Sequence, residues 1–184
     1  NLQLLRTIPG VTVFGTASRS KHEVLRAEGC DHPIDYRTLD YAEEVRRLTG
    51  GEGVDVVLDT LGGHDTRKGY ELLRQGGRLV TCGMANVLTG ERRSLPTILR
   101  HLLQTPRFSL RDLAAKNRSI AAVSTGCFWK EPRLLSENLG PVLEYCRQGK
   151  ISPRIDSVHK FEQAALAHQR IESRSNVGRV LLVP

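Results

Sequence analysis

The sequence predicts an α/β fold, a doubly wound parallel sheet, and three observations predict it. Apolar, β-branched runs alternate with helix-period segments along most of the chain. Glycines punctuate most of the junctions between them. The strand-like runs end in small residues, the composition found where open α/β sheets bind their ligands. With 184 residues, 39% hydrophobic and 26% charged, the chain fits one globular domain with a small appendage.

Taken in order, Asn1–Ile8 reads as the second half of a helix, stopped by Pro9 and Gly10. Val11–Phe14 is a buried strand that runs into the small residues Gly15–Ser18. A helix follows, with Val24 and Leu25 inward and Gly29 as its stop, and Asp31–Ile34 is the next strand. Tyr41–Leu48 is a helix. Val54–Leu58 is nearly continuously apolar, as a fully buried parallel strand would be, and ends in Asp59-Thr60-Leu61-Gly62-Gly63. His64–Arg74 is a helix with its exit at Gly76–Gly77, and Arg78–Cys82 is a buried strand ending in Gly83-Met84-Ala85. From Asn86 to Asn117 the pattern loosens into an arginine-rich excursion, with helices around Pro96–Gln104 and Leu110–Lys116. Ser119–Thr125 returns to a strand that leads into Gly126-Cys127-Phe128-Trp129. Leu134–Arg147 (helix), Ile155–Val158 (strand), Phe161–Glu172 (helix) and Gly178–Val183 (strand) complete the chain. Because the sequence opens within a helix and Val11–Phe14 reads as a sheet's second strand, the first strand and a glycine-rich loop are expected upstream of Asn1. On that expectation the chain is a fragment.

The chemistry concentrates at the turn after Phe14. In a dinucleotide fold the second strand usually ends in Asp or Glu, which accepts hydrogen bonds from the adenosine ribose hydroxyls. Here the strand ends without an acid and offers Ser18, Arg19 and Lys21. A hydroxyl, a guanidinium and an ammonium on one turn suit a 2′-phosphate dianion, so the turn points to NADP(H) rather than NAD(H). The same residues also suit a plain serine-capped helix start on a basic surface turn.

Other function classes find less support. No apolar run approaches the roughly 18–20 residues of a membrane span, and no signal peptide opens the chain. The 4 cysteines (Cys30, Cys82, Cys127, Cys146) form no CxxC pair, and the 6 histidines have no metal-ligand spacing. Neither a metal site nor a disulfide framework is indicated, which fits a reducing cytoplasm. Cys82 and Cys127 read as small buried hydrophobes at strand ends. A net charge of +7 favours anionic ligands, but aromatics are only 5%, with no stacking platform for nucleic acid. No nucleophile–base pair or carboxylate pair is visible and no catalytic residue is assigned; hydride transfer needs cofactor geometry more than a protein acid.

The stretches DYRTLDYAEEVRRLTGGEGVDVVLDTLGG, GGRLVTCGMANVLTG, ISPRIDSVHKFEQA and NVGRVLLVP together resemble zinc-independent quinone oxidoreductases of the medium-chain dehydrogenase/reductase superfamily. GTASRSKHE and HPIDY add a likeness to the vesicle amine transport protein homologues within it. The resemblance covers nearly the whole chain. It implies a Rossmann-type dinucleotide-binding domain without its first strand and glycine loop, and a C-terminal segment that returns to a GroES-like substrate domain. On that basis residues 1–131 form the NADP-binding domain and 132–184 pack on the substrate domain.

By the same resemblance Ser18 and Lys21 match positions that hold the 2′-phosphate, and Tyr36 a tyrosine beside the adenine ribose. Ala17 lies where the backbone approaches the nucleotide, and Arg19 joins them on charge alone. Thr60, Leu61 and Gly62, then Gly83, Met84 and Ala85, match strand ends beside the nicotinamide half. Thr125, Cys127 and Phe128 match the segment that meets the nicotinamide carboxamide. Arg174 matches a late cofactor-contacting arginine, with Asn176 in the turn after it. The implied activity is hydride transfer from NADPH to an electron-poor quinone or enone, in a two-fold homodimer that continues the sheet through the edge strand Ile120–Ser124. Two alternatives stand beside it: an S-adenosylmethionine methyltransferase, whose sheet reads similarly around GVDVVLDTLGG, and peripheral binding to anionic lipid through the arginine-rich excursion.

Overall fold

The structure is a computed structural model and describes residues 2–83 and 103–184. Met84 and Ala85 lie outside the described residues, as does most of the helix expected around Pro96–Gln104. In chain order the main elements are α1 (Leu2–Leu5), β1 (Phe14–Ala17), α2 (His22–Ala27), β2 (His32–Asp35), α3 (Tyr41–Leu48), β3 (Val54–Asp59), α4 (His64–Glu71) and β4 (Leu73–Thr81). After these come α5 (Leu110–Ala115), β5 (Ser119–Ala122), α6 (Thr125–Phe128), α7 (Pro132–Arg147), β6 (Ile155–Lys160), α8 (Ala164–Glu172) and β7 (Arg179–Val183). They fall into two compact units, Asp35–Ser136 and a discontinuous one made of Asn1–Ile34 with Glu137–Pro184.

In the Asp35–Ser136 unit, β3, β4 and β5 form a parallel sheet in that order, with Asp59 level with Thr81 and Thr81 level with Ala122. Their carboxyl ends therefore lie along one edge. The core is Tyr70, Leu73 and Leu79, packed by Val54, Val57, Phe108, Leu113 and Ile120. β3 is not buried on both faces as its composition suggested. Val57 turns to the core, while Val56 and Leu58 alternate to the other face and are 54% and 46% exposed. Nor do Gly76–Gly77 end α4. The helix stops at Glu71 because Leu72 and Leu73 are buried and the Leu72 carbonyl already accepts Val54 N–H at 2.9 Å. The two glycines instead sit inside β4, where the pairing slips between Val54–Leu73 and Val56–Arg78. β5 ends at Ala122, before Thr125, which opens α6 after Ser124.

In the other unit β1 pairs with β2 and β6 runs parallel to β7. The expected strand Val11–Phe14 begins only at Phe14. Val13 is tied to a bend instead: its N–H donates to the Asp31 carboxylate at 2.7 Å, and its carbonyl accepts the N–H groups of Asp31 and His32, each at 3.0 Å.

Candidate functional site

The discontinuous unit gathers six of the predicted residues. β1 delivers Ala17, which is buried, and the chain then tightens into a 3₁₀ turn, Arg19–Lys21, with Ser18 in extended backbone before it. The Ser18 and Ser20 hydroxyls stand 3.4 Å apart, and Arg19 is exposed. The Lys21 ammonium donates to the Arg174 carbonyl at 2.8 Å and to the Asn176 carbonyl at 2.7 Å. Residues from both ends of the sequence thus meet at one ammonium. An ammonium carries three donors, so one N–H remains for a ligand. Arg174 holds a left-handed backbone (φ 54), uncommon outside glycine, and the Asn176 side chain donates to Gly178 O at 3.0 Å. Arg174 and Asn176 meet Lys21 through their main chain, a role that residue type alone does not signal.

The Asp35–Ser136 unit places the positions expected to face the nicotinamide half at the carboxyl edge of β3–β5. Thr60, Leu61 and Gly62 form a tight loop after β3. Gly62 takes φ 76, a conformation that glycine adopts without strain. Gly83 follows β4 so closely against this loop that a Cβ there would lie 2.7 Å from the Thr60 carbonyl. Cys127 N–H donates to Ser124 O at 3.1 Å, opening the short α6 that carries Thr125, Cys127 and Phe128. Cys82 and Cys127 are both exposed, against the expectation that they would be buried. Strand ends at an open edge leave their following residues in solvent. Tyr36, at the start of this unit just after Asp35, is exposed.

Sequence reasoning passed over Asp59. Its carboxylate, in a residue 6% exposed, accepts Leu61 N–H at 2.9 Å, Gly62 N–H at 3.1 Å and the Thr66 hydroxyl at 2.6 Å. One side chain therefore sets the whole loop. The available signal was an acid closing an apolar strand directly before two small-residue turn positions, an Asx-turn pattern.

Among the described residues no three His, Cys, Asp or Glu side chains are grouped to hold a metal ion. No helix among them is long and apolar enough to cross a membrane. Of the excursion's cations, Arg92, Arg93 and Arg100 lie outside the described residues. Lys116 and Arg118 pair with Glu71 at 3.3 and 3.8 Å.

Comparison with known proteins agrees with this architecture. The family model described as zinc-binding dehydrogenase matches residues 28–182. The synaptic vesicle membrane protein VAT-1 homolog of Rattus norvegicus is 46% identical over 183 residues, 100% of this chain and 45% of that protein. A 2-haloacrylate reductase of Burkholderia sp is 30% identical over 177 residues, covering 95% of this chain and 49% of the relative. Among solved structures, an NAD-dependent alcohol dehydrogenase superposes with a TM-score of 0.72 at 26% identity, over 100% of this chain and 47% of that one. The chain spans about half the length of the curated relatives it matches. With its parallel α/β sheet, its small-residue strand ends and a family match across most of its length, this chain belongs to the zinc-binding dehydrogenase family, oxidoreductases of the medium-chain dehydrogenase/reductase type.

Proposed function

We propose that this chain is the cofactor-binding part of an NADPH-dependent reductase whose substrate is an electron-poor quinone or enone. The observation that carries the reading is the end of β1: no acid is present, and the Lys21 ammonium is held on two carbonyls with one donor left over. A ribose with free hydroxyls needs an acceptor at that position, whereas a 2′-phosphate needs donors and positive charge. Ser18, Arg19 and Lys21 would supply them. When bound, the nicotinamide cofactor supplies the hydride. By the resemblance, the Thr60–Gly62 loop and Gly83 would give close backbone approach to a nicotinamide, with the segment Thr125–Phe128 at the same sheet edge. The 2-haloacrylate relative supports the substrate class, since a haloacrylate is itself an electron-poor alkene. Family membership replaces the methyltransferase alternative.

The test is calorimetry on the complete protein with each cofactor. NADPH is expected to bind roughly tenfold or more tightly than NADH, the difference one charge-assisted contact makes. Equal dissociation constants would refute the assignment. The reading also includes a homodimer: among the described residues β5 pairs only with β4, which leaves its other edge open to a second copy. Light scattering of the complete protein at micromolar concentration should give twice the monomer mass, and a strict monomer would exclude this edge as an interface.

A further inference from the structure

The turn that carries Arg174 and Asn176 is held from behind. Asp156 lies in β6 with its side chain 6% exposed, and its two oxygens accept the Arg170 guanidinium of α8 at 2.9 and 3.1 Å. The oxygen taking the longer of these also accepts Val177 N–H at 2.7 Å. One carboxylate thus grips the last turn of α8 on one side of Arg174–Asn176 and the backbone on the other. The Ser173 hydroxyl adds a bond to the Arg170 carbonyl at 3.0 Å. Between these fixed points sit the two carbonyls that receive Lys21.

Lysine is a point charge on a flexible four-carbon stem, so where its ammonium rests depends on its acceptors. With two of three N–H donors committed to the Arg174 and Asn176 carbonyls, the direction of the third is set by that turn. We propose that Asp156 is a positioning residue for cofactor discrimination: through Arg170 and Val177 N–H it fixes the Arg174–Asn176 turn, and through that turn it aims Lys21 at the phosphorylated ribose. The proposal rests on the reading of Lys21 given above. A carboxylate is needed because asparagine would present its own donors to one arm of the guanidinium fork. The Arg170 fork, followed by Val177 N–H, holds the Asp156 carboxyl well below the usual carboxylate range, so the grip is intact at neutral pH.

The test uses the complete protein and measures dissociation constants for NADPH and NADH in four forms: wild type, D156N, K21M and the double variant. D156N should weaken NADPH by roughly five- to tenfold, the loss of about one hydrogen bond, and leave NADH unchanged. In the K21M background D156N should add nothing, because there is no ammonium left to aim. Arg170→Lys, which keeps the charge and loses the fork, should shift the same ratio in the same direction by less. Should D156N fail to fold, R170Q keeps the Asp156–Val177 bond and is read by the same ratio. A merely structural role would weaken both cofactors together. Equal loss for both, or a loss that persists in K21M, overturns the proposal. A wild type without NADPH preference overturns the cofactor assignment and this inference with it, and shows before any variant is made.

Discussion

Asp59→Ala is expected to lower the unfolding free energy by about 3 kcal/mol or more, and Asp59→Asn by only about 1 kcal/mol. In the alanine variant the N–H groups of Leu61 and Gly62 and the hydroxyl of Thr66 lose their common acceptor in a place where Asp59 and Thr66 are buried. A buried polar group left unpaired costs about 1–3 kcal/mol, and partial escape of the loop to solvent trims the sum. Asparagine keeps one oxygen for the two N–H groups, and its amide can donate to a Thr66 hydroxyl that has rotated to accept. The measurement is urea denaturation followed by far-UV circular dichroism, comparing midpoints at constant slope. If the two variants prove equally destabilised, the negative charge itself, not the acceptor geometry, holds the loop. Because the Thr60–Gly62 loop is the predicted nicotinamide-side contact, Asp59→Ala should weaken both nicotinamide cofactors alike, in contrast to changes at Lys21.

Lys21→Glu is expected to raise the NADPH dissociation constant on the order of 100-fold and to leave NADH within a few-fold, which reverses the preference. Two effects act in the same direction. The charge-assisted donor to the phosphate is gone, and a carboxylate takes its place opposite a dianion. A third effect is internal: a glutamate cannot donate to the Arg174 and Asn176 carbonyls, so the turn loses its tie to the residues after β1. Lys21→Met separates these effects. It removes the donor without repulsion, so its NADPH loss should be roughly tenfold. Calorimetric titration of both cofactors against each variant checks the series, and a parallel loss of NADH affinity would assign Lys21 a purely structural part.

The alternation of strands and helices was legible because each element carries its own period, and helix α3 (Tyr41–Leu48) falls on its predicted limits. What failed was local in a different way. Val11, Thr12 and Val13 have strand composition, but the carboxylate of Asp31, reached only after the helix has turned the chain back, captures the Val13 N–H before a ladder forms. The run Val54–Leu58 looked buried on both sides because its composition is apolar throughout; composition does not say whether a covering layer exists. Ser18 and Lys21 were singled out because a missing acid at a strand end is a visible departure from pattern. The main-chain acceptors at Arg174 and Asn176, and Asp156 behind them, were not, because carbonyl positions depend on backbone conformation and not on residue type. The resemblance named Arg174 and Asn176, but only the structure shows that their carbonyls meet Lys21.

The unit in which Lys21 meets Arg174 is assembled from Asn1–Ile34 and Glu137–Pro184, while Asp35–Ser136 is continuous. During synthesis the continuous unit has all of its residues as soon as Ser136 leaves the ribosome. The other also needs residues from Glu137–Pro184 and must then close contacts across 153 positions, from Lys21 to Arg174. The turn that holds Lys21 therefore forms only after the continuous unit has all of its residues. Until Arg174 and Asn176 are made, Lys21 lacks both of these carbonyl acceptors, and on the proposed cofactor reading nothing yet aims its ammonium.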